Sequence, residues 1–274
     1  MGKAKRTLAV VAFTLVSCSS QMLPAATPTS QVTALRLYVT TPAVPLINAL
    51  TTVYARVNSS VSFDITTGNY EAMVEEVLAD EESYLLTTHL PPEDELPLLA
   101  LPIGQDGIAV IVNARNPLTS LSIAQVRRIY QGRIDRWTQV DGEDQVIIVF
   151  SREAGSGSRA QFDNLVMGER STTAMAQVAP SSAAMVRSVA RRAGAIGYVS
   201  MSYLNDSVRA LTIDDVEPTL ENVYNNTYPL RSLIYFAGLK EPESHFRAFI
   251  GWVQSPEGQS VVARHYAPLI ERES

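Results

Sequence analysis

Residues 146–159 read VIIVFSREAGSGSR, an apolar run followed by a turn rich in glycine and serine. The apolar run is typical of a buried strand over 146–150, and the residues after the glycines have the spacing of a helix over about 158–166. Strand, turn and helix in this order form the unit from which α/β domains are built. The stretch therefore predicts an α/β fold with mainly parallel sheets.

The turn within this stretch is a candidate binding site for an oxyanion. Glycine lets the backbone approach a ligand closely, and the first turn of a helix presents unpaired N–H groups with a partial positive charge. Ser156 and Ser158 add hydroxyl donors, and Arg152 or Arg159 can add a bidentate guanidinium group. The spacing alone supports a second interpretation equally well, in which Ser158 and Gln161 only cap the helix.

The rest of the chain continues the alternation of strands and helices. Ser122 and Gln125 have the spacing of a capping box, and Gly132 can end the helix that they begin. The predicted strands lie at 35–39, 61–65, 108–112, 146–150 and 196–199. The predicted helices lie at 45–57, 71–78, 122–132, 158–166, 244–253 and 256–266. Because one small sheet cannot contain so many strand–helix units, we expect two lobes.

The composition excludes several classes of protein. The 274 residues, of which 46% are hydrophobic, can build a sizeable core. The 28 acidic and 22 basic residues give a net charge of −6, which argues against nucleic acid as a partner because nucleic acid requires a basic face. The single cysteine and the spacing of the three histidines predict no metal site, and we expect no cofactor. The lack of GxxxxGK[ST] and GxSxG motifs argues against ATP hydrolysis and against a serine hydrolase.

The first thirty residues predict a secreted lipoprotein. A basic start precedes an apolar run over 8–16, which is too short to span a bilayer because a spanning helix needs about twenty residues. The run ends Leu15-Val16-Ser17-Cys18, which resembles the lipobox of bacterial lipoproteins. We expect cleavage of a signal peptide over 1–17, lipid attachment to Cys18 and a flexible tether over 18–31. The alternative is an ordinary signal peptide in which Cys18 is incidental.

Five segments, taken together, resemble the phosphate-binding proteins of bacterial phosphate ABC importers. They are residues 106–137 (DGIAVIVNARNPLTSLSIAQVRRIYQGRIDRW), 151–159 (SREAGSGSR), 194–199 (GAIGYV), 228–230 (YPL) and 246–258 (FRAFIGWVQSPEG). They follow the order of that family, and the resemblance covers roughly residues 32–270. It implies the two-lobed type II periplasmic-binding-protein fold, with a ligand cleft between the lobes. The first lobe would comprise 32–107 and 232–274, and the second 108–231.

The resemblance also implies which residues bind the ligand. In this family, uncharged donors and one arginine hold a desolvated phosphate, and the positions that match supply hydroxyl, N–H and guanidinium donors. A turn over 66–69 would supply some of the donors that the first lobe contributes. The implied ligand-binding residues are Thr40, Thr41, Thr67, Gly68, Asn69, Thr88, Arg152, Ser156, Gly157 and Ser158.

The chain departs from the family's pattern at the end of its third strand. Well-studied members have an aspartate there that accepts the proton of hydrogen phosphate and repels a fully deprotonated anion. Here residues 85–89 read LLTTH, without a carboxylate. Discrimination between phosphate and sulfate is therefore open. One hypothesis is that neutral His89 accepts the proton instead, and the alternative is that His89 is a surface loop residue.

The resemblance predicts an extracytoplasmic, lipid-anchored receptor that acts as a monomer without enzymatic activity. Its partners would be inorganic phosphate, the permease subunits of an ABC importer and, through the N-terminal lipid, the membrane. Two alternatives stay open. One is a receptor of the same fold for sulfate or molybdate, and the other is a sensor or surface lipoprotein without a role in transport.

Overall fold

The structure is a computed structural model that describes residues 1–2, 32–90, 95 and 97–269. Almost all of the predicted signal peptide, 1–17, and of the tether, 18–31, lies outside the described residues. Cys18 lies outside them too. No helix among the described residues is both long enough and apolar enough to cross a membrane.

The described part of the chain alternates strands and helices along most of its length. The strands are β1 (Thr33–Thr40), β2 (Val61–Gly68), β3 (Tyr84–Thr87), β4 (Leu99–Asn113), β5 (Ser120–Leu121), β6 (Ile148–Ser151), β7 (Gln177–Val178), β8 (Ala195–Ser200), β9 (Val208–Ala210), β10 (Thr212–Ile213) and β11 (Arg231–Gly238). The α-helices are α1 (Val44–Val57), α2 (Tyr70–Ala79), α3 (Ile123–Tyr130), α4 (Gly157–Phe162), α5 (Ser182–Ala190), α6 (Leu220–Tyr224), α7 (Ser244–Gln254) and α8 (Pro256–Val262).

Nine strands form one continuous sheet in the order β2-β1-β3-β11-β4-β8-β6-β7, with β9 also paired to β4. The pairs of β1 with β2 and β3, and of β6 with β7 and β8, are parallel, whereas β11 and β4 pair antiparallel with their neighbours. The predicted α/β class with mainly parallel sheets is confirmed. β4 pairs with β11 up to Gly107 and with β8 from Ile108, so one long strand passes from one half of the sheet to the other.

Two large groups of buried apolar side chains lie on either side of the point where β4 changes its pairing partner. The first core is built from residues within 35–103 and 234–266, and the second core from residues within 108–230 together with Ala267. Each core lies between its part of the sheet and the helices packed against it, as in other α/β layer structures. Two chain crossings, β4 and the start of β11, join the two cores.

Local signals in the sequence predict several helix ends correctly. The amide of Ser122 donates to Oε1 of Gln125 at 2.8 Å and the amide of Gln125 donates to Oγ of Ser122 at 3.1 Å, so the predicted capping box is present. Gly132 follows α3 with a φ of 73°, the left-handed conformation that glycine adopts without strain. The short helix α4 continues into a π-helical turn over Asp163–Met167.

Three predicted elements have different bounds in the structure. Residues 66–68, expected in a turn, extend β2, because they pair in register with the last residues of β1. The strand expected over 108–112 is the second half of the longer β4. The last helix ends at Val262 rather than 266, because the chain turns there and brings Ala267 beside Gln105, with backbone bonds of 2.7 and 2.9 Å.

Candidate functional site

Thr41 and Arg152 meet where β1 and β6 end. Nη1 of Arg152 donates to Oγ1 of Thr41 at 3.3 Å. The Thr41 hydroxyl also lies 3.4 Å from Oγ of Ser182, the first residue of α5, and the Thr41 carbonyl accepts a hydrogen bond from the Tyr203 hydroxyl at 2.7 Å. Thr41 belongs with the first core and the other three residues lie in the sequence of the second. The fold thus brings two predicted ligand-binding residues together across the cleft.

Arg152 is a buried cation, only 1% exposed. Its Nε and Nη2 donate to the two carboxylate oxygens of Glu153 at 3.0 and 2.9 Å, which is a bidentate pair. Its amide donates to the Tyr198 hydroxyl at 3.2 Å. A guanidinium carries five N–H groups, and Glu153 and Thr41 engage three of them. Since no other hydrogen bond within the described part of the chain engages the guanidinium, one N–H on each terminal nitrogen is left for a ligand.

The turn after Arg152 carries the remaining predicted residues of this side. Ser156 is 2% exposed and caps α4, because its Oγ accepts a hydrogen bond from the Arg159 amide at 3.4 Å. Its hydroxyl hydrogen stays free to donate, since a hydroxyl donates and accepts at once. Gly157 and Ser158 are buried at the start of α4. The structure therefore supports helix capping by Ser156, not by Ser158, and it leaves the donors of the turn in place.

The turn is packed directly against elements of the first core. The amide of Glu71, in the first turn of α2, donates to the Gly155 carbonyl at 3.2 Å. A Cβ placed on Gly155 would lie 2.5 Å from Oε2 of Glu71, and one placed on Gly157 would lie 3.2 Å from Cβ of Tyr70. Nε2 of Gln161 donates to the Thr88 carbonyl at 2.7 Å. These contacts close the cleft over the turn.

The other predicted ligand-binding residues of the first lobe differ in burial and in hydrogen bonding. Thr40 is buried, and its hydroxyl donates to the Leu86 carbonyl at 3.3 Å. Thr67 is exposed and Gly68 pairs with Thr40 through the backbone. Asn69 caps α2 by accepting from the Ala72 amide at 2.9 Å. Thr88 is buried, and its carbonyl is already engaged by Gln161. None of these residues contacts Arg152 through a hydrogen bond between described residues.

His89 is half-buried rather than a loop residue in solvent. Its ring stands edge-on to the ring of Tyr70, with 4.9 Å between the ring centres, and its Cβ lies beside Gly157. Burial lowers the pKa of His89 below its usual value, so the imidazole is neutral at neutral pH. A neutral imidazole can accept a proton, and the role of His89 as the acceptor for hydrogen phosphate stays a prediction.

Four residues that contact the site were missed by the sequence interpretation. They are Glu153, Ser182, Tyr198 and Tyr203. Glu153 follows Arg152 directly, so an ion pair between neighbours was a signal that could have been noticed. Nothing in the local sequence marks the others, because their contacts with Thr41 and Arg152 arise between segments that are distant in the chain.

The tyrosines around the site stay protonated. Burial raises the pKa of Tyr198 to about 12, although its hydrogen bonds with Ser151 and the Arg152 amide act in the opposite direction. Burial also raises the pKa of Tyr203, and the positive charge of Arg152 lowers it. The site therefore combines neutral hydroxyls with one arginine whose charge Glu153 balances. No group of His, Cys, Asp or Glu side chains within the described residues could hold a metal ion.

A family model described as a PBP superfamily domain matches residues 24–257. The phosphate-binding protein PstS of Bacillus subtilis (strain 168) is 30% identical over 168 residues, which are 60% of this chain and 56% of that protein. The chain thus spans little more than half the length of this curated relative.

Two solved structures share the fold over most of the chain. One is a Clostridium perfringens protein, assigned as the substrate-binding protein of a phosphate ABC transporter and solved with bound phosphate. It has a TM-score of 0.82 and 30% identity, and the match covers 87% of this chain and 100% of that one. The other is an ABC-type phosphate transport receptor from Vibrio cholerae, with a TM-score of 0.72 and 24% identity over 85% and 99% of the two chains. The second likeness shows the fold alone.

Proposed function

The chain belongs to the PBP superfamily of domains, and from this premise we propose that it is an extracytoplasmic receptor that captures inorganic phosphate and delivers it to the permease of an ABC importer. The predicted two-lobed binding-protein fold is confirmed by the match to the Clostridium perfringens structure. Members named among the relatives are binding proteins rather than enzymes, as expected for this chain.

One observation carries the proposal: a buried arginine lies in the closed cleft with one N–H free on each terminal nitrogen. Arg152 is held in place by Glu153 on one side and by Thr41 on the other. Hydrogen bonds between a guanidinium and phosphate oxygens are charge-assisted and strong. Because Glu153 balances the charge of Arg152, the remaining attraction for an anion comes from oriented N–H and hydroxyl dipoles in a site without bulk water.

The proposed mechanism is closure of two lobes around a desolvated anion. The lobes would be 32–107 with 232–274 and 108–231, built on the two cores and joined at β4 and the start of β11. Ser156, Gly157 and Ser158 would bind from the second lobe, and Thr40, Thr41 and Thr88 from the first. A ligand that contacts both sides is bound more tightly in the closed state, so it shifts the equilibrium toward closure.

Anchoring by lipid on Cys18 is the second part of the proposal. It rests on the lipobox-like sequence before Cys18. In the bacterial host, the wild-type protein should partition with membranes and the Cys18→Ser variant should be released. Equal partitioning of both would exclude attachment at this cysteine.

Isothermal titration of the purified protein with phosphate, sulfate and molybdate tests ligand and site together. We expect phosphate to bind and Arg152→Ala to weaken binding by about 2–5 kcal/mol, at least about thirtyfold in Kd, because the variant leaves a buried anion without its charged donor. Arg136→Ala is the matched control, since Arg136 is exposed and pairs with Asp144, neither of which belongs to the turn. Unchanged phosphate affinity in Arg152→Ala would refute the proposed site.

A receptor for sulfate is the second candidate, and one observation favours it. Residues 85–89 lack a carboxylate, so nothing at that position repels an anion without a proton. Competition of sulfate with phosphate in wild type and in His89→Ala separates the two cases. If His89 accepts the proton of hydrogen phosphate, the variant should lose preference for phosphate, and equal preference in both proteins would exclude that role.

A further inference from the structure

Asp106 is a buried carboxyl group at the crossing between the two cores. It lies in β4, opposite Ser232 of β11, one residue before the strand changes its partner from β11 to β8. It is 3% exposed. Strand positions at such a crossing are where the two halves of the protein move relative to each other when the cleft opens or closes. A charge at this point therefore lies where the two cores are joined.

The carboxyl group of Asp106 is only partly satisfied by hydrogen bonds. Its Oδ1 is buried and has no hydrogen-bond partner within the described residues. Burial raises the pKa of Asp106 to about 7, although the Ser200 hydroxyl and the amides of Gly107 and Met201 act in the opposite direction. No lysine, arginine or histidine among the described residues contributes to this shift. Near neutral pH the group thus exists in both its protonated and its charged form.

Two tyrosines are the ionisable groups that face Asp106 from neighbouring elements. Its negative charge raises the pKa of Tyr203, in the turn after β8, and that of Tyr266, after α8. The positive charge of Arg152 acts on the same Tyr203 and lowers its pKa. Asp106 and Arg152 therefore both act on one hydroxyl, and that hydroxyl donates to the carbonyl of Thr41, a residue of the proposed anion site, at 2.7 Å.

A chain of hydrogen bonds joins the surroundings of Asp106 to the end of β1. Oγ of Ser200 lies 2.8 Å from Oγ of Ser202, to which the Tyr266 hydroxyl is bonded at 2.9 Å. The same Tyr266 hydroxyl donates to the Pro42 carbonyl at 2.8 Å. Pro42 follows Thr41, the residue that contacts Arg152. A change in charge at Asp106 is therefore connected to both sides of the cleft.

We propose that Asp106 is a proton-binding site coupled to the anion site, and that its carboxyl group takes up a proton from solvent when phosphate enters the cleft. The inference rests on the proposed function. An anion in a site of low dielectric makes a second negative charge nearby more costly, so it favours the protonated carboxyl. Coupling between two binding sites is reciprocal. A proton on Asp106 therefore strengthens phosphate binding as much as phosphate strengthens binding of the proton.

Isothermal titration with phosphate at pH 7 and pH 8, in buffers of different ionisation enthalpy, measures the protons taken up on binding. On binding phosphate, wild type should take up as much as one proton more than Asp106→Asn. With rising pH, the phosphate affinity of wild type should fall more steeply than that of the variant, by up to about tenfold per pH unit. The ionisation of phosphate itself is common to both proteins and cancels in the comparison. Asp64→Asn, the same change at an exposed strand position, is the matched control and should behave as wild type.

Two outcomes of the titration overturn the inference and can be told apart. If wild type binds phosphate and takes up the same number of protons as Asp106→Asn, the coupling is refuted while the proposed function stands. If wild type binds no phosphate, the proposed function fails and the coupling with it. An infrared difference spectrum of wild type with and without phosphate needs no variant. It should gain the C=O band of a protonated carboxyl group, and a spectrum without that gain would also refute the coupling.

Discussion

Replacing Gly155 by alanine should weaken phosphate binding without harming the fold. The glycine belongs to the turn that α2 covers in the closed structure. A Cβ at this position would lie 2.5 Å from Oε2, 2.9 Å from Cδ and 3.2 Å from Cβ of Glu71. The carboxylate can rotate away, but Cβ of Glu71 is fixed to a backbone whose amide is bonded to the Gly155 carbonyl. The first turn of α2 must therefore move back from the turn.

The cost falls on the closed state alone. Forcing extra atoms into a packed contact costs about 1–3 kcal/mol, which corresponds to a Kd for phosphate about 5 to 160 times higher. In the proposed open state, α2 and the turn would lie apart, so the unfolding temperature without phosphate should change little. Isothermal titration gives the change in Kd, and thermal unfolding with and without phosphate shows whether the loss is confined to the bound form.

Two further variants make this prediction specific. Gly251→Ala adds the same methyl group to α7, where a Cβ meets nothing within 4 Å, so its phosphate affinity should equal that of wild type. Glu71→Ala combined with Gly155→Ala removes Oε2 and Cδ and should restore part of the affinity. Wild-type affinity in Gly155→Ala, or no recovery in the double variant, would refute closure of α2 onto this turn.

Three other changes have definite expected outcomes. Tyr203→Phe removes the hydrogen bond to the Thr41 carbonyl and should weaken phosphate binding by about 0.5–1.5 kcal/mol, measured by isothermal titration. An unchanged Kd would mean that other contacts position Thr41. Asn113→Ala removes two hydrogen bonds to the last carbonyls of α5 and should lower the free energy of unfolding by about 1–3 kcal/mol in urea, with phosphate affinity unchanged. Asp106 has a higher pKa in the folded than in the unfolded chain, so the folded state binds more protons between about pH 4 and 7. Over that window the stability of wild type should fall with rising pH relative to Asp106→Asn, by about 1.4 kcal/mol per unit, and parallel pH profiles would contradict the raised pKa.

Features of the fold that depend on neighbouring residues were predictable from the sequence. The capping box at the start of α3, the glycine at its end and the apolar side of α1 involve residues within a few positions of each other. Their hydrogen bonds and burial follow from helix geometry alone. The strand–turn–helix unit around Arg152 belongs to the same class, because the apolar run and the glycines are adjacent.

The elements that join the two halves of the protein were harder to predict. β11 was not predicted, and only the apolar half of β4 was. Both strands obtain their pairing partners from segments far away in the chain, as in the register of Arg231 with Gly107. A strand of this kind is fixed by long-range backbone hydrogen bonds, and its side chains need not form a continuous apolar run.

The same distinction applies to the candidate site. Arg152, Ser156 and Gly157 lie in one short segment with a recognisable pattern, and the structure places this segment between β6 and α4. The residues that complete the site, Ser182 and Tyr203, contact it only after folding. A local pattern therefore predicts one wall of the cleft, and the opposite wall requires the tertiary structure.

The negative net charge of the chain is consistent with an anion receptor once the charges are placed in the structure. The overall charge of −6 governs long-range attraction, which is screened within about 10 Å at ordinary ionic strength. At the site, Glu153 balances Arg152, so the local net charge is also small. The donors that remain are N–H and hydroxyl groups held in fixed directions, and in a buried site such groups interact more strongly than they do in water. In the proposed receptor, binding of an oxyanion would therefore depend on closure and on exclusion of water rather than on an excess of basic residues, and contacts such as Glu71 with Gly155 would matter as much as the arginine.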